Sequence, residues 1–253
     1  MMNNKLIYIA GPCVIDDPEI TYGIAHALKD ILKPFKDRIR FAFKASYDKA
    51  NRTRHMSYRG TGLNQGLEVL ASIKKDFGFK VTTDVHEAAH VGIVADVCDI
   101  LQVPAFLCRQ TDLVVECAKT GKTVNIKKGQ FVAPQDMKYI VEKIEDHGNK
   151  NIIITERGSC FGYNNLIVDF RSIKIMQELG YPVIVDATHT TGGNRDFAPL
   201  LARAAIAAGA NGVFTEVYPN PAKAQCDGPL SLYLSQVEEL LEKLLEIQNI
   251  CKS

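Results

Sequence analysis

Four residues of metal-ligand type stand at the ends of apolar runs: Cys13 in AGPC, His189 in DATHTTGG, and Glu216 and Asp227 in TEVYPNPAKAQCDGP. One thiol, one imidazole and two carboxylates form a mixed soft and hard donor set. It suits borderline divalent ions such as Zn²⁺, Fe²⁺ or Mn²⁺ better than Mg²⁺ or Ca²⁺. Basic side chains recur at the ends of other apolar runs. Lys44 is followed by Lys49, Asn51 and Arg52; Gln102 and Phe106 lead to Arg109; Lys127 and Lys128 are adjacent; and Arg157 follows Glu156. The planar fork of Arg and the point charge of Lys together suit a small substrate bearing phosphate and carboxylate. Each residue also has an ordinary use. A Cys after Gly-Pro packs well, a His after a strand hydrogen-bonds in a core, and a single surface Lys pairs with a neighbouring carboxylate. Convergence favours the chemical reading, because residues this far apart in sequence meet only if the runs that carry them are neighbours in a closed sheet.

The carrying runs are eight: LIYIA from Leu6, RFAFKA from Arg40, KVTTDV from Lys80, ILQVPA from Ile100, TVNIKK from Thr123, IIITERG from Ile152, VIVDATH from Val183 and VFTEV from Val213. They are nearly continuous in apolar residues and end in polar ones, the pattern of parallel strands buried on both faces. Between them lie segments with apolar residues at helical spacing, among them ITYGIAHALKDILKPF, NQGLEVLASIKKDFG, PQDMKYIVEKIEDHG and FAPLLARAAIAAGA, several closed by Gly. Strand and helix alternate without a linker, which predicts a single (β/α)8 TIM barrel over residues 1–253, an α/β fold. A doubly wound open sheet is the lesser alternative, since no GxGxxG follows the first run. The C-terminal LSQVEELLEKLLEIQNI is an amphipathic helix fit for the barrel wall or a subunit contact. Barrel enzymes work at the C-terminal ends of their strands, where this chain places Asp84, His86 and Asp186 among the residues above.

Composition narrows the function classes. A chain of 253 residues with 46% hydrophobic and 23% charged residues can bury a large core. Its net charge of +1 supplies no general field for nucleic acid or an anionic membrane, so neither is an expected partner. The apolar runs are too short to span a bilayer, and the N-terminal MMNNKLIYIAGPC does not have the make-up of a signal peptide, so a soluble, cytoplasmic protein is expected. The seven cysteines include no CxxC pair and read as reduced thiols, six of them as packing residues.

Seven strings in order, AGPC, FKASYDKANR, QVPAFLCRQTDL, NIKKGQF, ITERG, VDATH and the ExYPxPxxAxxDGP pattern, resemble the 3-deoxy-D-manno-octulosonate 8-phosphate synthases, also called 2-dehydro-3-deoxyphosphooctonate aldolases. KANR is the most discriminating of them; the related heptulosonate 7-phosphate synthases typically carry a KPRT-like string there. The resemblance implies condensation of phosphoenolpyruvate with arabinose 5-phosphate and water, releasing phosphate. It matches Lys44, Lys49, Arg109, Lys127 and Arg157 to the carboxylate and phosphate of phosphoenolpyruvate. It matches Asn51, Arg52 and Thr53 to the aldose phosphate, and Asp84, Gln102, Pro104, Ala105 and Phe106 to the wall that orients both. Lys127 is the candidate proton donor. The resemblance also implies a homotetramer. Cys13, where metal-free members have Asn, places the chain with the metal-dependent class, its ion held by Cys13, His189, Glu216 and Asp227. The CDG of Cys226 to Gly228 is more typical of the metal-free members. Two further departures lie at the aldose end. Thr53 and Arg54 replace two serines, with Arg54 expected to be exposed or else to add a phosphate contact, and the loop after His189 is short. A related synthase using another aldose phosphate, such as erythrose 4-phosphate, is the alternative.

Overall fold

In a computed structural model that describes residues 5–251, eight parallel strands close on themselves with a helix after each. The strands are β1 Leu6–Gly11, β2 Ile39–Lys44, β3 Lys80–Asp84, β4 Ile100–Val103, β5 Thr123–Lys127, β6 Ile152–Glu156, β7 Val183–Asp186 and β8 Gly212–Tyr218. Each pairs with the next, and β8 pairs with β1 in the register Ile7 to Gly212 through Gly11 to Glu216. The helices are α1 Pro18–Leu32, α2 Leu63–Phe77, α3 Val91–Val97, α4 Thr111–Lys119, α5 Met137–Glu145, α6 Arg171–Gln177, α7 Phe197–Ala207 and α8 Val237–Ile250. All eight predicted strands are present, and the TIM barrel is the fold. No described helix is long and apolar enough to cross a membrane.

Local signals explain the element ends. The Asp17 side chain caps α1 by accepting from the backbone N–H of Glu19 and Ile20, with Pro18 in the first turn, where its missing N–H is harmless. Gly78 ends α2 in the left-handed conformation at φ +70. ITYGIAHALKDILKPF and PQDMKYIVEKIEDHG each form an α-helix joined to a 3-10 turn, over Lys33–Phe35 and Pro134–Asp136.

The strand layer separates two cores. One lies between strands and helices and includes Leu6, Tyr8, Ile24, Leu28, Val81 and Leu241. The other fills the barrel with Ile7, Ile9, Ala42, Ile100, Ile153, Ile184 and Phe214. Side chains alternate in direction along a strand, so the residues two places on from these inner ones also face inward. Lys44 follows Ala42, Gln102 follows Ile100, Asp186 follows Ile184 and Glu216 follows Phe214. An apolar plug therefore underlies a charged layer at the C-terminal ends of the strands.

Closure leaves no room at Gly212. A Cβ there would lie 2.0 Å from the Ile7 carbonyl oxygen. Gly212→Ala is expected to destabilise the protein by about 3 kcal/mol, seen as a fall of roughly 5–10 °C in thermal midpoint. An unchanged midpoint would mean that the β1–β8 seam yields freely.

Candidate active site

The mouth of the barrel holds a cavity of about 440 Å³. Its walls include six basic side chains, Lys44, Lys49, Arg52, Arg54, Lys127 and Arg157, together with Asn51, Thr53, Asp84, Gln102, Pro104, Ala105, Phe106, His189 and Asp227. Residues from seven segments of the chain thus converge as the strand-end pattern predicts. Lys44 and Lys127 belong to strands, while Asn51 to Arg54 come from the long segment between β2 and α2.

Asp186, fully buried, organises the floor. Its Oδ2 lies 2.6 Å from Lys127 Nζ and 2.8 Å from His189 Nδ1. Its Oδ1 accepts the backbone N–H of Thr188 and of His189, both at 3.0 Å. Burial alone would raise the Asp186 carboxyl, but His189 and Lys127 outweigh it and hold it well below the usual carboxylate range. Burial would lower the His189 imidazole, yet Asp186 and Glu216 push it up to about 9. Because a carboxylate accepts at Nδ1, Nδ1 carries the hydrogen and Nε2 is turned to Asp227 Oδ2 at 3.6 Å and Glu216 Oε1 at 3.8 Å. The Lys127 ammonium also sits 4.0 Å from the centre of the Phe214 ring.

Two further buried pairs fix the side walls. Lys44 Nζ donates to Glu216 Oε1 at 3.2 Å and to the Cys13 carbonyl at 2.7 Å. Lys49 Nζ meets Asp84 Oδ2 at 3.3 Å, and Gln102 donates to the other Asp84 oxygen. Burial opposes the Asp84 charge, but Lys49 and Lys44 keep its carboxyl well below the usual range.

The donors predicted for a metal form two groups that share Asp227. His189, Glu216 and Asp227 offer atoms all within 4.8 Å of one another, and so do Cys13, Cys226 and Asp227. Cys13 thus reaches His189 and Glu216 through the shared carboxylate. The chemistry of this set fits a divalent ion. Glu216 Oε2 is buried without a hydrogen-bond partner, and the Nε2 of His189 faces two carboxylates. Burial above all, then Cys226 and Glu216, push the Cys13 thiol well above its ordinary range, against the pull of Lys49 and Lys44. A bound cation is what would convert it to thiolate.

Not every residue read at a strand end lines the mouth. Arg109 does not line the mouth. It follows the 3-10 turn Ala105–Leu107, where the chain has already left the barrel rim. It borders a separate surface cavity of about 360 Å³ with Phe131, Asp136, Tyr139 and Lys143. Lys128 and Glu156 face the helix layer, paired at 3.5 Å, with Glu156 accepting from Ser172 of α6. Arg54 is exposed, as expected, and at the same time lines the cavity, as does Ser57. Cys226, read as a packing residue, lies 3.0 Å from Cys13 Sγ, and its position beside Asp227 in AQCDGP was the signal for it. The short loop after His189 turns back on itself: Thr190 and Thr191 are buried against Asp186 and Thr188, and no residue of 190–196 reaches the cavity.

A parallel barrel whose mouth gathers cations over buried carboxylates, thiols and an imidazole is an enzyme of the (β/α)8 class built for small anionic substrates. The sequence matches the DAHP synthetase I family over residues 2–253. It is 54% identical over 256 residues to the 2-dehydro-3-deoxyphosphooctonate aldolase of Desulfosudis oleivorans, covering 96% of this chain and 90% of that protein. It is 52% identical over 253 residues to the aldolase of the same name from Desulfatibacillum aliphaticivorans, with 96% and 92% covered. To that of Fusobacterium nucleatum it is 51% identical over 260 residues, with 98% and 92% covered. The chain belongs to the DAHP synthetase I family, in its 2-dehydro-3-deoxyphosphooctonate aldolase branch.

Removing the Asp186 charge tests the organisation of the floor. Asp186→Ala leaves Lys127 buried without its partner and is expected to destabilise the fold by about 3–5 kcal/mol in denaturant unfolding. Adding Lys127→Met should recover part of that loss. Additive losses in the double variant would show that the two groups are not coupled.

Proposed function

We propose that this enzyme condenses phosphoenolpyruvate with D-arabinose 5-phosphate and water, giving 3-deoxy-D-manno-octulosonate 8-phosphate, a lipopolysaccharide precursor, and phosphate. The observation that carries the reading is the convergence of six basic side chains on one cavity of about 440 Å³, in a chain about half identical to the aldolases named above. Two polyanions must come within bonding distance, and fixed cations hold and screen them without the reorganisation that water would need.

Lys44, Lys49, Lys127 and Arg157 are assigned to the carboxylate and phosphate of phosphoenolpyruvate. Asn51, Arg52 and Thr53 are assigned to the aldose phosphate. Asp84, Gln102, Pro104, Ala105 and Phe106 form the wall between them. Lys127 gives a proton to a developing oxyanion, with Asp186 holding its ammonium in place. Cys13, His189, Glu216 and Asp227 would hold a divalent ion, Zn²⁺, Fe²⁺ or Mn²⁺, which supplies Lewis-acid polarisation of an aldehyde oxygen or a water. Homotetrameric assembly and a cytoplasmic location belong to the same reading. Arg109 with the exposed Phe131 and Tyr139 supports the assembly, as a surface that a neighbouring subunit would cover. The short loop after His189 and the Thr53-Arg54 pair permit another aldose phosphate, against which the KANR string argues, so erythrose 4-phosphate is the second substrate to test.

Phosphate release from phosphoenolpyruvate should require arabinose 5-phosphate, stop after treatment with a strong chelator and return with one added divalent ion. A preference for erythrose 4-phosphate would move the chain to the sister activity, and turnover that survives complete metal removal would place it with the metal-free members. Lys127→Met, with Lys44, Lys49 and Arg157 left in place, should bind phosphoenolpyruvate more weakly and, at saturation, lose kcat by roughly 100-fold or more; an unchanged kcat would remove the proton-donor role.

A further inference from the structure

The donor group around Asp227 holds one thiol more than the four-residue set requires. Cys226 Sγ is 3.0 Å from Cys13 Sγ, and Cys13 Sγ is 3.0 Å from Asp227 Oδ2. Two buried thiols can meet simply as packing residues. Three observations set this contact apart.

First, consecutive residues of an extended chain point to opposite sides, yet Cys226 and Asp227 both offer a donor atom to the same group. Asp227 lies at φ +49, in the left-handed region that residues with side chains rarely enter, and this turn brings the two side chains together. Second, the turn is locked from behind. A Cβ on Gly228 would lie 2.3 Å from the Pro221 carbonyl oxygen, so the next residue must be glycine. Third, the Cys226 sulfur accepts from Arg52 Nη1 at 2.5 Å, so it faces the cavity and can serve as an electron-pair donor there.

We propose that Cys226 is a second thiolate donor to the metal site, alongside Cys13 and Asp227. The inference rests on the reading of this site as a metal site and adds to it a residue and a selectivity. When the ion binds, each thiol releases its proton to solvent and gives a sulfur lone pair to the metal. Two thiolates make the donor set softer, which favours Zn²⁺ or Fe²⁺ over Mn²⁺.

Cobalt(II) loaded into the metal-free protein counts the thiolates, because the sulfur-to-cobalt charge-transfer band in the near ultraviolet grows with each Co–S bond. The band is expected at half its wild-type intensity in Cys226→Ala, at half in Cys13→Ala, and to be absent from the double variant. Full intensity in Cys226→Ala overturns the proposal. Since that variant could disturb the turn, the cadmium-113 resonance of the unaltered protein gives an independent count. The downfield position of a two-thiolate centre supports the proposal, and the position of a one-thiolate centre overturns it. A one-thiolate result leaves the metal site itself standing, whereas a wild-type protein that takes up neither cobalt nor cadmium removes both.

Discussion

The carboxylate of Asp186 is the interaction on which the site depends. It is buried beneath the mouth, one oxygen bound to two cations and the other to two backbone amides. The amide contacts fix the chain just after β7, which aims His189 across the barrel. The side-chain contacts hold Lys127 against the Phe214 ring. An isolated carboxylate at this depth would be neutral; surrounded as it is, it stays ionised and serves as the negative centre about which the positive groups are ordered. Lys44 with Glu216 and Lys49 with Asp84 repeat the arrangement on either side.

These pairs lie over an apolar plug, and that placement determines their strength. Ile9, Ile184 and Phe214 keep water out from below, so the field of each charge falls off less than it would at a surface. The number of cations exceeds the number of carboxylates that pair with them. Arg54 and Arg157 have no ion pair among the described residues, and the excess positive charge is directed at the cavity. Neutralising this mouth requires an anionic guest, although the chain as a whole is nearly neutral.

Much of this was legible in the sequence. The alternation of apolar runs and helical spacing gave all eight strands, and the polar residue closing each run gave most of the cavity wall. The failures share a physical origin. A strand buried on both faces is apolar throughout, so it carries no alternation to separate inward from outward residues. The run alone therefore does not separate Lys127 from Lys128, although one faces the mouth and the other the helices; the family resemblance is what singles out Lys127. Arg109 lies apart from its own chain's mouth because a short 3-10 turn redirects the chain before it is reached. Cys226 is undervalued because it lies in an irregular segment, where direction is set by single φ values and tertiary contacts, and periodicity says nothing.

Closure of the barrel between β1 and β8 also decides when the site can exist. Cys13 follows the first strand, while Cys226 lies 213 positions later, beyond the last. The group of Cys13, Cys226 and Asp227 therefore straddles the seam where β1 meets β8, whereas His189, Glu216 and Asp227 all come from its C-terminal side. Such distant contacts form late in folding, after local strand–helix units have assembled, because a long loop must be closed before they contribute. The residues of the cationic wall on β2 to β6 precede Cys226 and Asp227 in the chain and so are synthesised before the donor set is complete. The full donor set is finished by the same event that completes the fold, so a chain whose β1–β8 seam is still open does not hold Cys13 against Cys226 and Asp227.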